Sequence, residues 1–107
     1  MAVTKLLLTS RRPFAQEKAF GHVGPYEQLD GIVSFAVDPN HPANHPITDL
    51  KLAPRDPNGL VHFSADWRVL RPVEPQRGNH RMLFDILNRG RGPGLRNLNS
   101  APDVAPN

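Results

Sequence analysis

The stretch LVHFSADWRVL at residues 60–70 decides the fold. Val61, Phe63, Ala65, Trp67 and Val69 recur at every second position, with His62, Ser64, Asp66 and Arg68 between them. Successive side chains of a strand point to opposite faces, so this period packs one face and turns the other toward water or a different layer. A helix would need its apolar residues three and four apart, so residues 60–71 read as a half-buried β-strand. Residues 29–37 repeat the pattern more weakly: Leu29, Val33, Phe35 and Val37 are in phase, and Gly31 predicts a bulge. Residues 81–87 differ. Met82, Leu83, Phe84, Ile86 and Leu87 are apolar almost without interruption, the pattern of a central strand covered on both faces.

The punctuation between these runs is strong. Asp56-Pro57-Asn58-Gly59 sets a proline at the second position of a turn and supplies Asn and Gly for positive φ. It predicts a hairpin joining 47–53 to 60–71, and residues 75–79 predict a turn from that strand into 81–87. The expected fold is therefore mostly β, an antiparallel strand meander with Pro/Gly-rich loops running through 29–37, 47–53, 60–71 and 81–87. Residues 3–9 form a further strand with no assigned partner. Residues 13–20 are expected to make one or two helical turns, with Pro13 at the start and Gly21 as the stop. Residues 1–88 form the β-rich segment, and 89–107 a Gly/Arg loop and polar tail, where the chain is expected to have been cut ahead of further structure.

Composition narrows the function classes. An apolar share of 38%, 12 prolines and 8 glycines in 107 residues suit one small domain with many enforced turns. With no cysteine to staple it and no clear metal cluster, a domain this size has little internal reinforcement and is expected to lean on something else, such as the rest of its own chain. Thirteen Lys and Arg against ten Asp and Glu give a mild +3. Arg11, Arg12, Arg55, Arg68, Arg71 and Arg77 lie scattered among acids, unlike the focused basic face of a nucleic-acid module. The first ten residues fall short of the roughly 7 to 15 apolar residues of a signal peptide. No run approaches the roughly 20 needed to cross a bilayer as a helix. A cytoplasmic protein without membrane or nucleic-acid partners is expected.

No catalytic residue is assigned within the chain. The Gly-x-Ser-x-Gly elbow of an α/β-type serine hydrolase is absent. Ser34 and Ser64 fall mid-strand, and Ser10 and Ser100 lie in boundary stretches, so none has an activated setting. His41 and His45 stand four apart beside Asp38 and Asp49, but Pro42 and Pro46 forbid the helix that would bring that spacing onto one face, so no metal and no cofactor is expected. Only residues 88–96 invite chemistry. Gly90, Gly92 and Gly94 free the backbone to aim N–H groups at an anion, with Arg89, Arg91 and Arg96 alongside. Three readings stand: a surface loop, a loop that builds an active site with downstream residues, and a phosphate or RNA site. The last lacks aromatics for base stacking.

Several strings, in order, resemble the N-terminal part of a bacterial family of α/β-hydrolase domain-containing proteins. They are GHVGPYE at 21–27, Gly31, VDP at 37–39, ITDL at 47–50, APR at 53–55, GLVHFSAD at 59–66, LRP at 70–72 and NRGR at 88–91. The resemblance implies that the meander opens an α/β-hydrolase fold and that residues 82–87 form an early strand of its sheet. It also implies a downstream part of the same chain carrying nucleophile, acid and histidine, and a small-molecule ester or amide as the parent's substrate. By position, Asn88, Arg89 and Gly90 match the loop from which related hydrolases supply one N–H of the oxyanion hole.

Overall fold

The computed structural model describes residues 2–86 and Gly94. Three twelve-residue strands, β1 (Ala2–Pro13), β2 (Tyr26–Val37) and β3 (Val61–Pro72), form one open antiparallel sheet in the order β1-β2-β3. The helical turns within residues 2–86 are three-residue 3-10 turns. The mostly β, antiparallel character expected from the sequence holds, and residues 3–9 find their partner in β2.

β2 and β3 pair without interruption from Tyr26 opposite Pro72 to Val37 opposite Val61. This register puts Leu29, Val33, Phe35 and Val37 beside Val69, Ala65, Phe63 and Val61, so the alternation read in each strand merges into one apolar face. The Phe35 and Phe63 rings stack across the strands with centroids 4.8 Å apart. β1 adds Val3, Leu6 and Leu8 opposite Phe35, Val33 and Gly31. Its register slips between Val3 and Lys5 and again between Leu8 and Ser10, and the Thr9 hydroxyl donates to the Asp30 carbonyl at 3.1 Å.

The irregularity expected at Gly31 thus belongs to β1, directly opposite, and Gly31 has a different role. A Cβ there would stand 2.5 and 2.6 Å from Trp67 ring carbons and would strike the Leu7 carbonyl oxygen. The glycine lets the indole lie flat across β2 toward β1.

Among the described residues two expected strands are absent, and the central position passes to β2. Residues 47–53 fold into consecutive turns, with Leu50 N–H donating to Ile47 O, Leu52 to Asp49 O and Ala53 to Leu50 O. Pro46 and Pro54 bracket the segment, and Ile47, Leu50 and Ala53 recur every third position, which suits the i to i+3 bonds of a 3-10 turn, with Leu52 out of phase and exposed. Asp56 and Gly59 do form the expected turn, with the Gly59 N–H 2.9 Å from Asp56 O, but it closes a long loop and not a hairpin. Residues 81–86 carry no strand and are exposed, with Met82 at 86% and Ile86 at 78%. The apolar run has the composition of a covered strand and nothing among the described residues to cover it.

The turns expected over 13–20 reduce to one 3-10 turn, Ala15–Glu17, with a second at Gly21–Val23 that Gly21 starts and does not stop. Ala15, Gln16 and Glu17 all have positive φ, between 50° and 63°. Left-handed backbone crowds Cβ against the following carbonyl, at about 1–2 kcal/mol per residue. The turn is held by the Phe14 N–H to Tyr26 O bond of 2.9 Å and by Phe20, which stacks on Phe14 and meets Tyr26 edge-on.

Candidate functional site

Asn88, Arg89, Gly90, Arg91 and Arg96 lie outside the described residues, as does the boundary at 88–89. The stretch is seen at its margins. The Gly94 N–H donates to Asp85 Oδ2 at 3.0 Å, so one of the glycine N–H groups expected to face an anion is turned to a carboxylate of the chain itself.

The described residues gather charge elsewhere, at the end of the sheet where β2 begins. Arginines that look scattered in sequence converge there, because the antiparallel register brings the end of β1 and the end of β3 to opposite sides of β2. On the apolar face Glu27 Oε2 receives Arg11 Nε at 2.6 Å and Oε1 receives Arg71 Nε at 2.7 Å. On the other face Asp30 Oδ1 receives Arg68 Nε at 2.6 Å, Oδ2 receives Gln28 Nε2 at 2.7 Å, and Arg12 Nη2 stands 3.7 Å away. Both carboxylates are buried, and each ties β1 to β3 across β2. The bonds from Arg11 and then Arg71 hold the Glu27 carboxyl below its ordinary value. For Asp30, burial acts to raise the carboxyl, and the bonds from Arg68 and Gln28 overcome it, so it too is lowered. Carboxylates held toward the ionised form with both oxygens engaged are poorly suited to take up a substrate proton. These clamps fix strand register.

A third carboxylate organises the turn before β3. Asp56 Oδ1 accepts from the N–H groups of Asn58 at 2.8 Å and Leu60 at 2.9 Å, and Oδ2 lies 2.7 Å from His62 Nε2. The His62 bond and then the Leu60 N–H lower the Asp56 carboxyl. An Asp–His pair is two-thirds of a hydrolytic triad, but the nitrogen that meets Asp56 is engaged, and among the described residues no hydrogen bond joins the ring to a serine. Ser34 and Ser64 are paired opposite each other mid-strand, as their positions in sequence implied.

His41 and His45 are exposed around the 3-10 turn Pro42–Asn44, and His41 Nδ1 accepts from the Ala43 N–H at 3.2 Å. No group of His, Cys, Asp and Glu among the described residues is arranged to hold a metal ion. A hollow of about 490 Å³ opens beside this loop and is lined by Asn44, His45, Ile47, Asp49, Leu50 and Leu52. A second of about 310 Å³ lies where Met82 passes Tyr26 and Leu70. Neither contains a convergent set of reactive groups.

Sequence reasoning missed the Glu27 and Asp30 clamps. Their signal, two arginines at the end of β1 and two more three residues apart in β3, becomes readable only once the strand register is known. No helix among the described residues is long and apolar enough to cross a membrane. No family model, curated protein or solved structure matches this chain.

Proposed function

We propose that this chain is the N-terminal segment of an α/β hydrolase whose intact parent cleaves esters or amides, and that alone it lacks the nucleophile and turns over no substrate. The observation that carries the reading is the exposed apolar run at 82–86, which has the composition of an inner sheet strand and leads straight into Asn88, Arg89 and Gly90. A strand that feeds a glycine-containing loop is where active sites of α/β sheets collect. In the parent, the remainder of the hydrolase sheet covers this run, and the loop supports an oxyanion through its backbone.

The test pairs two proteins with one serine-directed phosphonate and an activated ester. The 107-residue chain is expected to give no label and no turnover. A parent polypeptide continuing past Asn107 is expected to label on one serine outside residues 1–107. Label on Ser34 or Ser64, or an unlabelled and inactive folded parent, would defeat the reading.

A second reading, a basic module that binds anions through Arg89, Arg91 and Arg96, draws on the Asp85 carboxylate at the Gly94 N–H. Binding of inorganic phosphate that strengthens on Asp85→Asn and is lost on removal of those arginines would favour it over the hydrolase. A stand-alone β-rich interaction module remains the alternative if neither chemistry is found.

A further inference from the structure

We propose that the apolar face of the sheet is a docking surface for a second copy of this chain, joined face to face with its strands reversed end for end. The inference goes beyond the hydrolase reading and does not depend on it, because it concerns the 107-residue chain alone and is read by association instead of labelling.

A sheet with one apolar face must lay that face against another layer. Here Val37 and Val61 are the only buried hydrophobic residues among those described, and both lie at the end of the face where the 38–60 loop meets the sheet and Pro39 is also buried. The rest is open. Leu6 is 68% exposed and Leu8 51%, and Val3, Phe63 and Val69 are exposed with them. The opposite face mixes exposed Leu7 and Ile32 with Ser34 on β2 and Ser64, Asp66 and Arg68 on β3, so it is the more polar of the two.

Size and charge argue for a second copy. Three strands about 4.8 Å apart and an apolar row about 30 Å long, from Leu29 to Val37, give a footprint of about 400 Å² before side-chain relief is counted. Two copies then bury on the order of 1,000 Å², the lower edge of specific interfaces and the size of a weak, reversible dimer. The charged groups on this face are Arg11, Glu27 and Arg71, all at one end, with one positive charge in excess. A two-fold axis perpendicular to the strands carries the two clusters to opposite ends, about 30 Å apart and well beyond the screening length of about 8 Å. An axis along the strands would set them against each other. The first arrangement stacks the two apolar faces as aligned sheets, with Ala65 of each copy meeting Ala65 of the other at the centre.

Sedimentation equilibrium from low micromolar to several hundred micromolar is expected to show a monomer and dimer in exchange. Phe63→Glu and Leu6→Glu, on the face, should each weaken dimerisation at least tenfold, whereas Ser64→Glu, on the other face, should leave it unchanged. Circular dichroism identifies any variant that has lost the sheet, and either face variant serves if the other does. Since the chain has no cysteine, single replacements report the orientation: Ala65→Cys is expected to cross-link to itself under oxidation and Leu29→Cys is not. A monomer throughout the range, open-ended association, equal loss in Ser64→Glu, or self-linking at Leu29→Cys in place of Ala65→Cys would overturn the proposal.

Discussion

Gly31→Ala is the sharpest probe of the packing that joins the three strands. The added methyl would lie 2.5 and 2.6 Å from Trp67 ring carbons and would collide with the Leu7 carbonyl oxygen. The oxygen belongs to the backbone of a paired strand and the indole is a rigid plate, so neither yields without moving β1 or lifting Trp67. Overpacking of this kind costs about 1–3 kcal/mol. Alanine in place of glycine in a strand would otherwise return about 0.5–1 kcal/mol of backbone entropy. The net expectation is a loss of about 1–2 kcal/mol, or about 4–16 °C in Tm for a unit of this size. Trp67 is the chain's one tryptophan, so its fluorescence reports unfolding and displacement of the ring together. Measurements belong at one fixed protein concentration, since self-association contributes to apparent stability. Combining Gly31→Ala with Trp67→Leu should recover part of the loss, because the smaller side chain leaves room for the methyl. A Gly31→Ala protein as stable as wild type, with unshifted Trp67 emission, would refute the packing described here.

Three further outcomes are expected. Gln16→Gly should stabilise the protein by roughly 0.5–1 kcal/mol in chemical denaturation, since it relieves a left-handed residue of about 1–2 kcal/mol at the smaller entropic cost of a glycine; a loss of stability would mean that the turn is not left-handed. Glu27, Asp30 and Asp56 have folded-state values below their ordinary 4.5, 3.8 and 3.8, so the stability they contribute is full above that range and is lost as pH falls through the lowered values. Acid titration monitored by circular dichroism should therefore show the sheet weakening below about pH 4, with Glu27→Gln flattening the dependence. In the proposed parent, Gly90→Pro should lower turnover by roughly 100- to 1,000-fold while phosphonate labelling and Tm hold; near wild-type turnover in a folded, labelled variant would return Gly90 to a turn residue.

What could be read in the sequence was local. The two-residue period of β2 and β3 needs no knowledge of neighbours: Val61, Phe63, Trp67 and Val69 share one face of β3, and Leu29, Val33 and Phe35 one face of β2, as their spacing implied. Pairing was not local. Residues 3–9 gave no clue to their partner, and residues 47–53 resembled a strand only until the prolines on either side were weighed with the three-residue spacing of Ile47, Leu50 and Ala53. The run at 82–86 shows that composition reports what a segment can bury and not whether it is covered. The Glu27 and Asp30 clamps depend on residues as far apart as Arg11 and Arg71, which only the register brings together. Of the site expected at residues 88–96, Gly94 is the member among the described residues.

Amide hydrogen exchange across residues 82–86, in the 107-residue chain and in the proposed parent polypeptide, tests the central claim most directly. The amides of β2, paired on both sides, should exchange slowly in both proteins. Those of residues 82–86 should exchange at nearly free rates in the short chain and become as protected as β2 in the parent. Protection of 82–86 in the short chain, or free exchange there in a folded parent, would contradict the claim that this run is a hydrolase strand awaiting the rest of its sheet.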